Sequence, residues 1–403
     1  MIELGLARIQ KLLHKTPQTW KAIHVAGTNG KGSICAYLTA LLRANNVTCG
    51  KFTSPHLIDR WDCISINDSA IPETRFRHFE DLVKQRNEDW HVGATEFELL
   101  TATAFEIFEA EKVQVGVVEV GLGGRLDATN VLQEKSVTVI SKIGLDHQFL
   151  LGDTIEEIAL QKAGIMRQGV PCVVDASNPK SVLGTFQKHS RDVGTSVTNA
   201  SPESNELARL LGDTIEPHQA QNLAVAHEAF RLAFPQNIKP LDILVPAVRN
   251  INWPGRLQLL DISALTGRQG DILLDGAHNP QSAEVLASYV NRHFRAGDLP
   301  KSVTWVLAAS QGKDLGDIMK LLIQQDDSVA AVEFGPVDGM PWVKPMSSAT
   351  ILEATNAKTR YDSRSDLLGA LQWATKVANN GPLVIAGSLY LVSDVLRLLR
   401  ETA

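Results

Sequence analysis

The run Gly27-Thr28-Asn29-Gly30-Lys31-Gly32-Ser33 sets a lysine between two glycines. It follows an apolar run at residues 20–26 and opens a segment, 33–43, that reads as a helix. In that setting backbone N–H groups and the positive end of a helix cradle phosphate, and Lys31 adds a point charge. Two residues rather than four separate the first glycine from the Gly-Lys pair, so the loop departs from the common P-loop. The alternative is a plain glycine-rich turn; the lysine and the Ser33 hydroxyl two residues on argue against it. Glu119 closes the apolar run 113–120, where a buried strand prefers another valine. A carboxylate at a strand end is a place to hold the Mg²⁺ of a bound nucleotide. The glycines at 121, 123 and 124 open no helix, which sets a dinucleotide site aside.

Asp146 and His147 lie just past the next Val/Ile-rich run, 136–143. Ligands of open α/β sheets gather at such carboxyl ends, so a metal or phosphate role competes with an ordinary hydrogen-bonded histidine. In the predicted helix 155–166, Ile155, Ile158, Ala159, Lys162 and Met166 share one face. Periodicity alone favours a lysine that snorkels, its stem buried and its ammonium in water. The other reading is partial burial that depresses its basicity, and a neutral amine can take up CO₂ as a carbamate. In the second half, Asp275-Gly276-Ala277-His278-Asn279-Pro280 and Gly387-Ser388 again stand at strand ends before helices. Arg256, beside Pro254-Gly255, is placed to reach phosphates from across a domain joint.

The elements that must position these groups alternate. Residues 20–26, 47–53, 113–120 and 136–143 are strand-length apolar runs separated by helical stretches, which predicts a mostly parallel sheet covered on both faces. A second alternation follows residue 253, with strands at 271–274, 302–308, 330–334 and 382–386 and helices at 281–294, 315–325, 365–379 and 389–401. Polarity rises over 177–216, which reads as surface loops and minor elements. The expected organisation is a P-loop ATPase-type α/β domain over 1–250, followed by a smaller Rossmann-like α/β domain over 251–403.

A net charge of −6 gives no electrostatic reason to bind nucleic acid or an anionic membrane. Cys35, Cys49, Cys63 and Cys172 lack metal-ligand spacing and read as reduced thiols. No apolar run reaches the roughly 20 residues of a spanning helix, and the first residues do not resemble a signal peptide. A cytoplasmic monomer acting on small molecules is the expectation.

Together the motifs resemble the folylpolyglutamate synthase and dihydrofolate synthase branch of the Mur ligase family. They are GTNGKGS at 27–33, TSPHL at 53–57, TEFELLTA at 95–102, VGLGGRLDATN at 120–130, LDH at 145–147, KAGI at 162–165, HQAQN at 218–222, PGR at 254–256 and DGAHNP at 275–280. The resemblance implies ATP-dependent joining of glutamate to a pterin-bearing acid through an acyl phosphate, with ATP as co-substrate, two Mg²⁺ ions and a monovalent cation. It assigns Gly27, Thr28, Asn29, Gly30, Lys31, Gly32 and Ser33 to the triphosphate, with Asn222, Arg256 and Asp275 as further nucleotide contacts. It gives Ser54 and Glu119 to the first metal, and His147 with a carbamylated Lys162 to the second. It gives Glu3, Leu4, Gly5, Thr95, Glu96, Phe97, Glu98, Leu126, Asp127 and Ala128 to the acid, and His278 and Ser388 to the incoming glutamate. Lys31, Lys162, His147 and Arg256 would be the catalytic groups.

The sequence departs from many relatives after TSPHL, where Cys63 replaces an arginine. It keeps Phe97-Glu98-Leu99 and Arg125-Leu126-Asp127-Ala128 where the animal-type polyglutamylating pattern differs. Residues 336–342 are similar to the fungal type, which favours dihydropteroate as acceptor over a reduced folate. A folylpolyglutamate synthase or a bifunctional enzyme is the alternative. A non-ligase nucleotide switch on the same fold is a third reading, against which Asp275, His278 and Ser388 stand, since a switch needs no amino-acid site.

Overall fold

Val- and Ile-rich runs bounded by glycine loops become the strands of two sheets. The computed structural model describes residues 4–236, 238–251, 253–296, 301–313 and 315–402. The chain divides into two compact units, Met1–His56 with Trp61–Ile251, and Leu57–Arg60 with Asn252–Ala403.

The first unit is built on β1 (Lys21–Ala26), β2 (Cys49–Phe52), β3 (Ile64–Ile66), β4 (Ser69–Ala70), β5 (Val115–Glu119), β6 (Lys135–Ile140), β7 (Cys172–Asp175) and β8 (Val197–Ala200). Their order is β4-β3-β2-β5-β1-β6-β7-β8, parallel except for the antiparallel β2–β3 and β3–β4 edge. Nearly every residue of β1 and β5 is buried, as expected for parallel strands covered on both faces. The chain leaves β1 for β2 on one side, and later leaves β5 for β6 on the other. That reversal brings the carboxyl ends of β1, β5 and β6 side by side, where α/β sheets take their ligands. Register fixes the neighbours: Val25 lies opposite Glu119, and Ala26 opposite Ile140.

At the other end of β1, Trp20 meets Phe105 and Phe108 edge-on, with centroids 5.4 and 5.3 Å away. A Cβ on Gly116 would lie 2.5 Å from the indole, so only glycine admits it. Replacing a tryptophan packed this way by alanine costs about 3–5 kcal/mol.

Residues 177–216 correct the sequence expectation of loops. They hold the helix Lys180–Val193, β8 and the helix Glu206–Leu211. Val182, Phe186 and Ser190, four residues apart, are the buried positions of the first helix, and Gly194 ends it in the left-handed region at φ 79°. One apolar stripe among charged residues anchors a helix while leaving its mean polarity high. The helix bearing Lys162 is Ile155–Ala163, stopping at Gly164 rather than at residue 166.

The second unit carries β9 (Gln258–Leu260), β10 (Ile272–Leu274), β11 (Thr304–Leu307), β12 (Ser328–Val332), β13 (Thr359–Arg364) and β14 (Leu383–Ala386). Their order is β13-β12-β11-β14-β10-β9, antiparallel only between β9 and β10. Strand β13 was not expected from the sequence: it is an edge whose residues are mostly exposed and polar, so it lacks the apolar signature of the strands inside. Leu274 pairs with Ile385, so Asp275 and Gly387 leave the sheet at the same edge. Among the described residues no helix is long and apolar enough to cross a membrane.

Candidate active site

The loop after β1 is held open by its surroundings. Thr28 and Asn29 donate their backbone N–H groups to Lys142 O at 2.9 and 3.1 Å, and the Thr28 hydroxyl meets the backbone of Gly144. Gly27 has φ 144°, and a Cβ there would fall 1.7 Å from Ser141 Oγ. Gly30 has φ 89°, in the left-handed region, and a Cβ would fall 2.3 Å from Asn222 Oδ1. Glycine is therefore required at both positions by conformation and by space. Gly30 caps the helix Lys31–Ala44 without any side-chain bond to its first turn. The leading N–H groups of that helix and its dipole face the loop, which suits an anion.

Lys31 Nζ stands 3.6 Å from Glu119 Oε1 and 3.3 Å from Thr28 O. Both side chains are largely buried, so the carboxylate holds the ammonium at the loop mouth. Lys162 does not snorkel. It is 5% exposed and its Nζ donates to Gly27 O at 2.8 Å. Burial lowers its pKa to about 7; the nearby Lys31 charge pushes the same way, and Asp146 and Asp127 oppose it. The sequence placed this lysine on an apolar stripe, and its position in the fold turns it into an amine that is substantially neutral at physiological pH.

His147 takes a left-handed φ of 54°, uncommon for a residue with a side chain. Its N–H donates to Asp146 Oδ1 at 2.9 Å, and its Nε2 stands 3.8 Å from Asp146 Oδ2. Such a backbone is kept where neighbouring structure fixes it, commonly at functional sites. Ser54 follows β2, whose Phe52 pairs with Val118; one residue further along each strand brings the chain to Thr53 and Glu119, so Ser54 emerges at the same sheet edge.

On the acid side, Gly5 N donates to Leu126 O at 3.2 Å, which joins two segments 121 residues apart in the chain. Leu4 and Leu126 are both exposed there, 36% and 45%. Glu3 lies outside the described residues. Thr95 and Glu98 form a capping box at the start of the helix Glu96–Ala110, and Glu98 also binds Arg8 Nε at 2.9 and 3.2 Å. Phe97 stacks near Phe52 and lies over Gly121, whose Cβ would sit 2.3 Å from the ring.

Asp127 is 1% exposed and accepts from Leu122 N, Thr129 N and the Thr129 hydroxyl. Burial raises its pKa while those donors pull the other way. Asp127 and Glu98 thus organise their loops, while Leu4 and Leu126 are exposed and Glu96 is half-buried. Ala128 is buried against Ile9, Leu12 and Leu99.

In the second unit, Asp275 accepts from Leu257 N and Ala277 N, each at 2.8 Å. Burial raises its pKa, and the Arg256 charge opposes that. Arg256 Nη1 donates to Gly255 O at 3.0 Å and lies over Gly276, where a Cβ would come within 2.6 Å. His278 Nδ1 is 2.8 Å from Gly276 O. A carbonyl only accepts, so Nδ1 carries the hydrogen in this bond. The Ser388 hydroxyl accepts from Tyr390 N at 3.1 Å.

Sequence reasoning missed Ser141, Lys142 and Asn178, which shape the far wall of the loop. Asn178 donates to Ser141 O and accepts from Ile143 N at 2.8 Å. The signal that could have found the first two is their position just past β6, beside the phosphate loop. It also missed Arg8 and the buried His24, whose Nε2 meets the Thr129 hydroxyl at 2.8 Å and whose pKa burial lowers.

Residues 258–398 match the family described as dihydrofolate synthetase, C-terminal domain. The chain is 39% identical to a probable dihydrofolate synthetase of Schizosaccharomyces pombe, covering 99% of both chains. It is 37% identical to the dihydrofolate synthetase of Saccharomyces cerevisiae, covering 98% of both. Among solved structures it resembles a bifunctional folylpolyglutamate synthase/dihydrofolate synthase of Yersinia pestis complexed with AMPPNP and Mn ion, with TM-score 0.80 and 26% identity, covering 99% of this chain and 94% of that one.

Proposed function

The chain belongs to the dihydrofolate synthetase family, and from that premise we propose that it joins L-glutamate to 7,8-dihydropteroate at the expense of ATP, giving dihydrofolate, ADP and phosphate. The observation that carries the reading is the phosphate loop itself: Lys31 paired with Glu119, and Lys162 held at Gly27 O, around a loop whose positions 27 and 30 admit only glycine.

A carboxylate resists attack by an amine because its oxygen leaves poorly. Transfer of the γ-phosphoryl group of ATP to the pteroate carboxylate gives an acyl phosphate and ADP. The glutamate amine then attacks the acyl carbon, the C–O bond to phosphate breaks, and the amine loses a proton as the amide forms. The open N–H groups of the helix Lys31–Ala44 and the Lys31 ammonium hold the phosphate chain and offset its charge. Arg256, by the family resemblance, adds a second cation for the transferring group. The family resemblance also gives Asn222, against Gly30, and Asp275 to the nucleotide.

The residues fit a divalent ion of the kind bound mainly by phosphate oxygens. Among the described residues no cluster of three or more His, Cys, Asp or Glu could hold one alone. Mg²⁺ of a nucleotide needs only one or two protein oxygens beside the phosphates and its waters, and Glu119 stands at the loop to supply one. Glu119 and Ser54 would hold the first ion, His147 and Lys162 the second, and a monovalent cation would sit nearby. When bound, the ions neutralise charge on the transferring phosphoryl group. Lys162 joins such a set as a carbamate: its neutral amine adds to CO₂, the N–C bond forms and one proton goes to solvent. A pKa near 7 makes that amine available at physiological pH.

We assign Leu4, Gly5, Thr95, Glu96, Phe97, Glu98, Leu126, Asp127 and Ala128 to the acid side, and His278 and Ser388 to the glutamate side. The test is ADP release with glutamate plus dihydropteroate, and separately with glutamate plus tetrahydrofolate. Turnover with dihydropteroate supports the reading; turnover with tetrahydrofolate alone overturns it in favour of polyglutamate extension.

A further inference from the structure

We propose that Asn130 is a positioning residue that locks the acid-side turn to the end of the helix bearing Lys162, so that occupancy of one orders the other; the inference rests on the acid site given above. Asn130 is 3% exposed and uses every hydrogen-bonding position of its amide. Nδ2 donates to Arg125 O at 3.0 Å and to Gly164 O at 3.1 Å. The first carbonyl belongs to the turn that presents Leu126; the second belongs to the residue that ends the helix Ile155–Ala163. One NH₂ group thus spans the two elements.

The other half of the amide is anchored. Oδ1 accepts from Lys135 Nζ at 2.8 Å and from Arg167 Nη2 at 2.9 Å. Lys135 also donates to Ile165 O at 3.0 Å, and Arg167 to Gly164 O and Met166 O at 3.1 and 3.0 Å. The partners of these two cations are neutral amide and carbonyl oxygens. Their charge is directed at the helix end and at Asn130, which fixes the flip of the amide: the oxygen must face the cations, and the NH₂ must face the two carbonyls.

Backbone contact makes the same junction rigid. Arg125 N donates to Gln161 O at 2.9 Å. A Cβ on Gly124 would lie 2.9 Å from Lys162 O, and one on Gly164 would lie 2.4 Å from Arg125 Cβ. Turn and helix end pack closely at two glycines, so a shift of either is passed to the other. Packed junctions of this sort move between discrete arrangements rather than deform smoothly.

Two variants perturb the junction independently. Asn130→Asp keeps the Oδ1 acceptor beside Lys135 and Arg167 but replaces the NH₂ group and its two donors with a second oxygen. Gly164→Ala keeps every hydrogen bond of Asn130 but forces turn and helix apart. Both changes cost stability, so turnover is read well below each variant's melting temperature, where the chain is folded. There kcat is expected to fall about tenfold to a hundredfold, as misplacement of a reacting group by about 1 Å does, with KM for ATP little changed. Full turnover in both folded variants, or a loss of ATP affinity that parallels the fall in kcat, overturns the proposal.

A readout independent of turnover is hydrogen exchange on the unmodified protein with dihydropteroate and no nucleotide. Protection of residues 124–131 and of 155–166 together is the expected result, and loss of the second protection in Asn130→Asp confirms the route. Protection of 124–131 alone overturns the coupling and leaves the acid site standing. Protection of neither segment overturns both. Should the two variants fail to fold, the exchange on the unmodified protein decides alone.

Discussion

Replacing Lys162 by methionine should make the protein more stable and nearly inactive. Lowering the amine from 10.5 to about 7 corresponds to about 5 kcal/mol across the whole titration, at ~1.4 kcal/mol per tenfold. At pH 7.5 most of that remains, about 4 kcal/mol, since the unfolded lysine still binds its proton and the folded one has largely lost it. Methionine gives up the bond to Gly27 O, worth about 1 kcal/mol, and fills a similar volume. The net gain is about 2–3 kcal/mol, or a rise of roughly 5–10 °C in the melting of a unit of this size.

The folded pKa lies below the unfolded one, so the penalty is fully present below pH 7 and fades as pH rises from 7 to 10.5. The advantage of Lys162→Met should therefore be largest at pH 6.5 and shrink by pH 9. Melting is followed in CO₂-depleted buffer with chelator, so that neither carbamate nor metal contributes, and ADP release is measured in parallel. Turnover is expected to fall at least ~100-fold, as when a charge-stabilising group is removed from a phosphoryl-transfer site. A lower melting temperature in the variant at pH 7.5, or a gap that ignores pH, refutes the buried neutral amine. Near-normal turnover refutes its part in the reaction.

Gly30→Ala should raise KM for ATP about tenfold or more, because φ 89° and the approach of Asn222 Oδ1 together cost at least ~1–2 kcal/mol; isothermal titration with ADP checks it, and unchanged affinity counts against a loop that needs glycine. Arg256→Ala should lower kcat by a few kcal/mol of transition-state binding, about a hundredfold, with a smaller effect on ATP binding. Steady-state kinetics over a range of ATP separate the two, and a sharp loss of affinity at constant kcat would make Arg256 a ground-state anchor. The unmodified enzyme should show kcat/KM for dihydropteroate at least ~tenfold above that for tetrahydrofolate, about 1.4 kcal/mol in transition-state binding. Equal values would mark a bifunctional enzyme.

What the sequence determined by itself was what neighbours in the chain decide. The glycine loop at 27–33, the buried runs of β1, β5 and β6, and the strand-end positions of Glu119, His147 and Asp275 are legible because short-range pattern dictates them: a parallel strand inside a sheet must be apolar on both faces, and a loop that turns its backbone N–H groups on phosphate needs glycine at its tightest positions. Edge elements such as β8 and β13, and the helix Lys180–Val193, were hidden because exposure frees most of their residues from that pattern.

Tertiary structure alone decided how deep each group sits and which partner it meets. Lys162 on an apolar stripe fits a snorkelling lysine as well as a buried amine until the fold closes Gly27 O and the core over it. Nothing local to Asp127 or Glu98 says that each also holds its loop, Asp127 through Leu122 and Thr129 and Glu98 through Thr95 and Arg8. Asn130 is one polar residue in a glycine-rich segment until it meets Lys135, Gly164 and Arg167. Hydrogen-bond valence and desolvation act through space, as where Lys162 meets Gly27, Glu98 meets Arg8 and Asn130 meets Gly164, and no local pattern encodes which of two polar groups will be spent on the fold and which left open for chemistry.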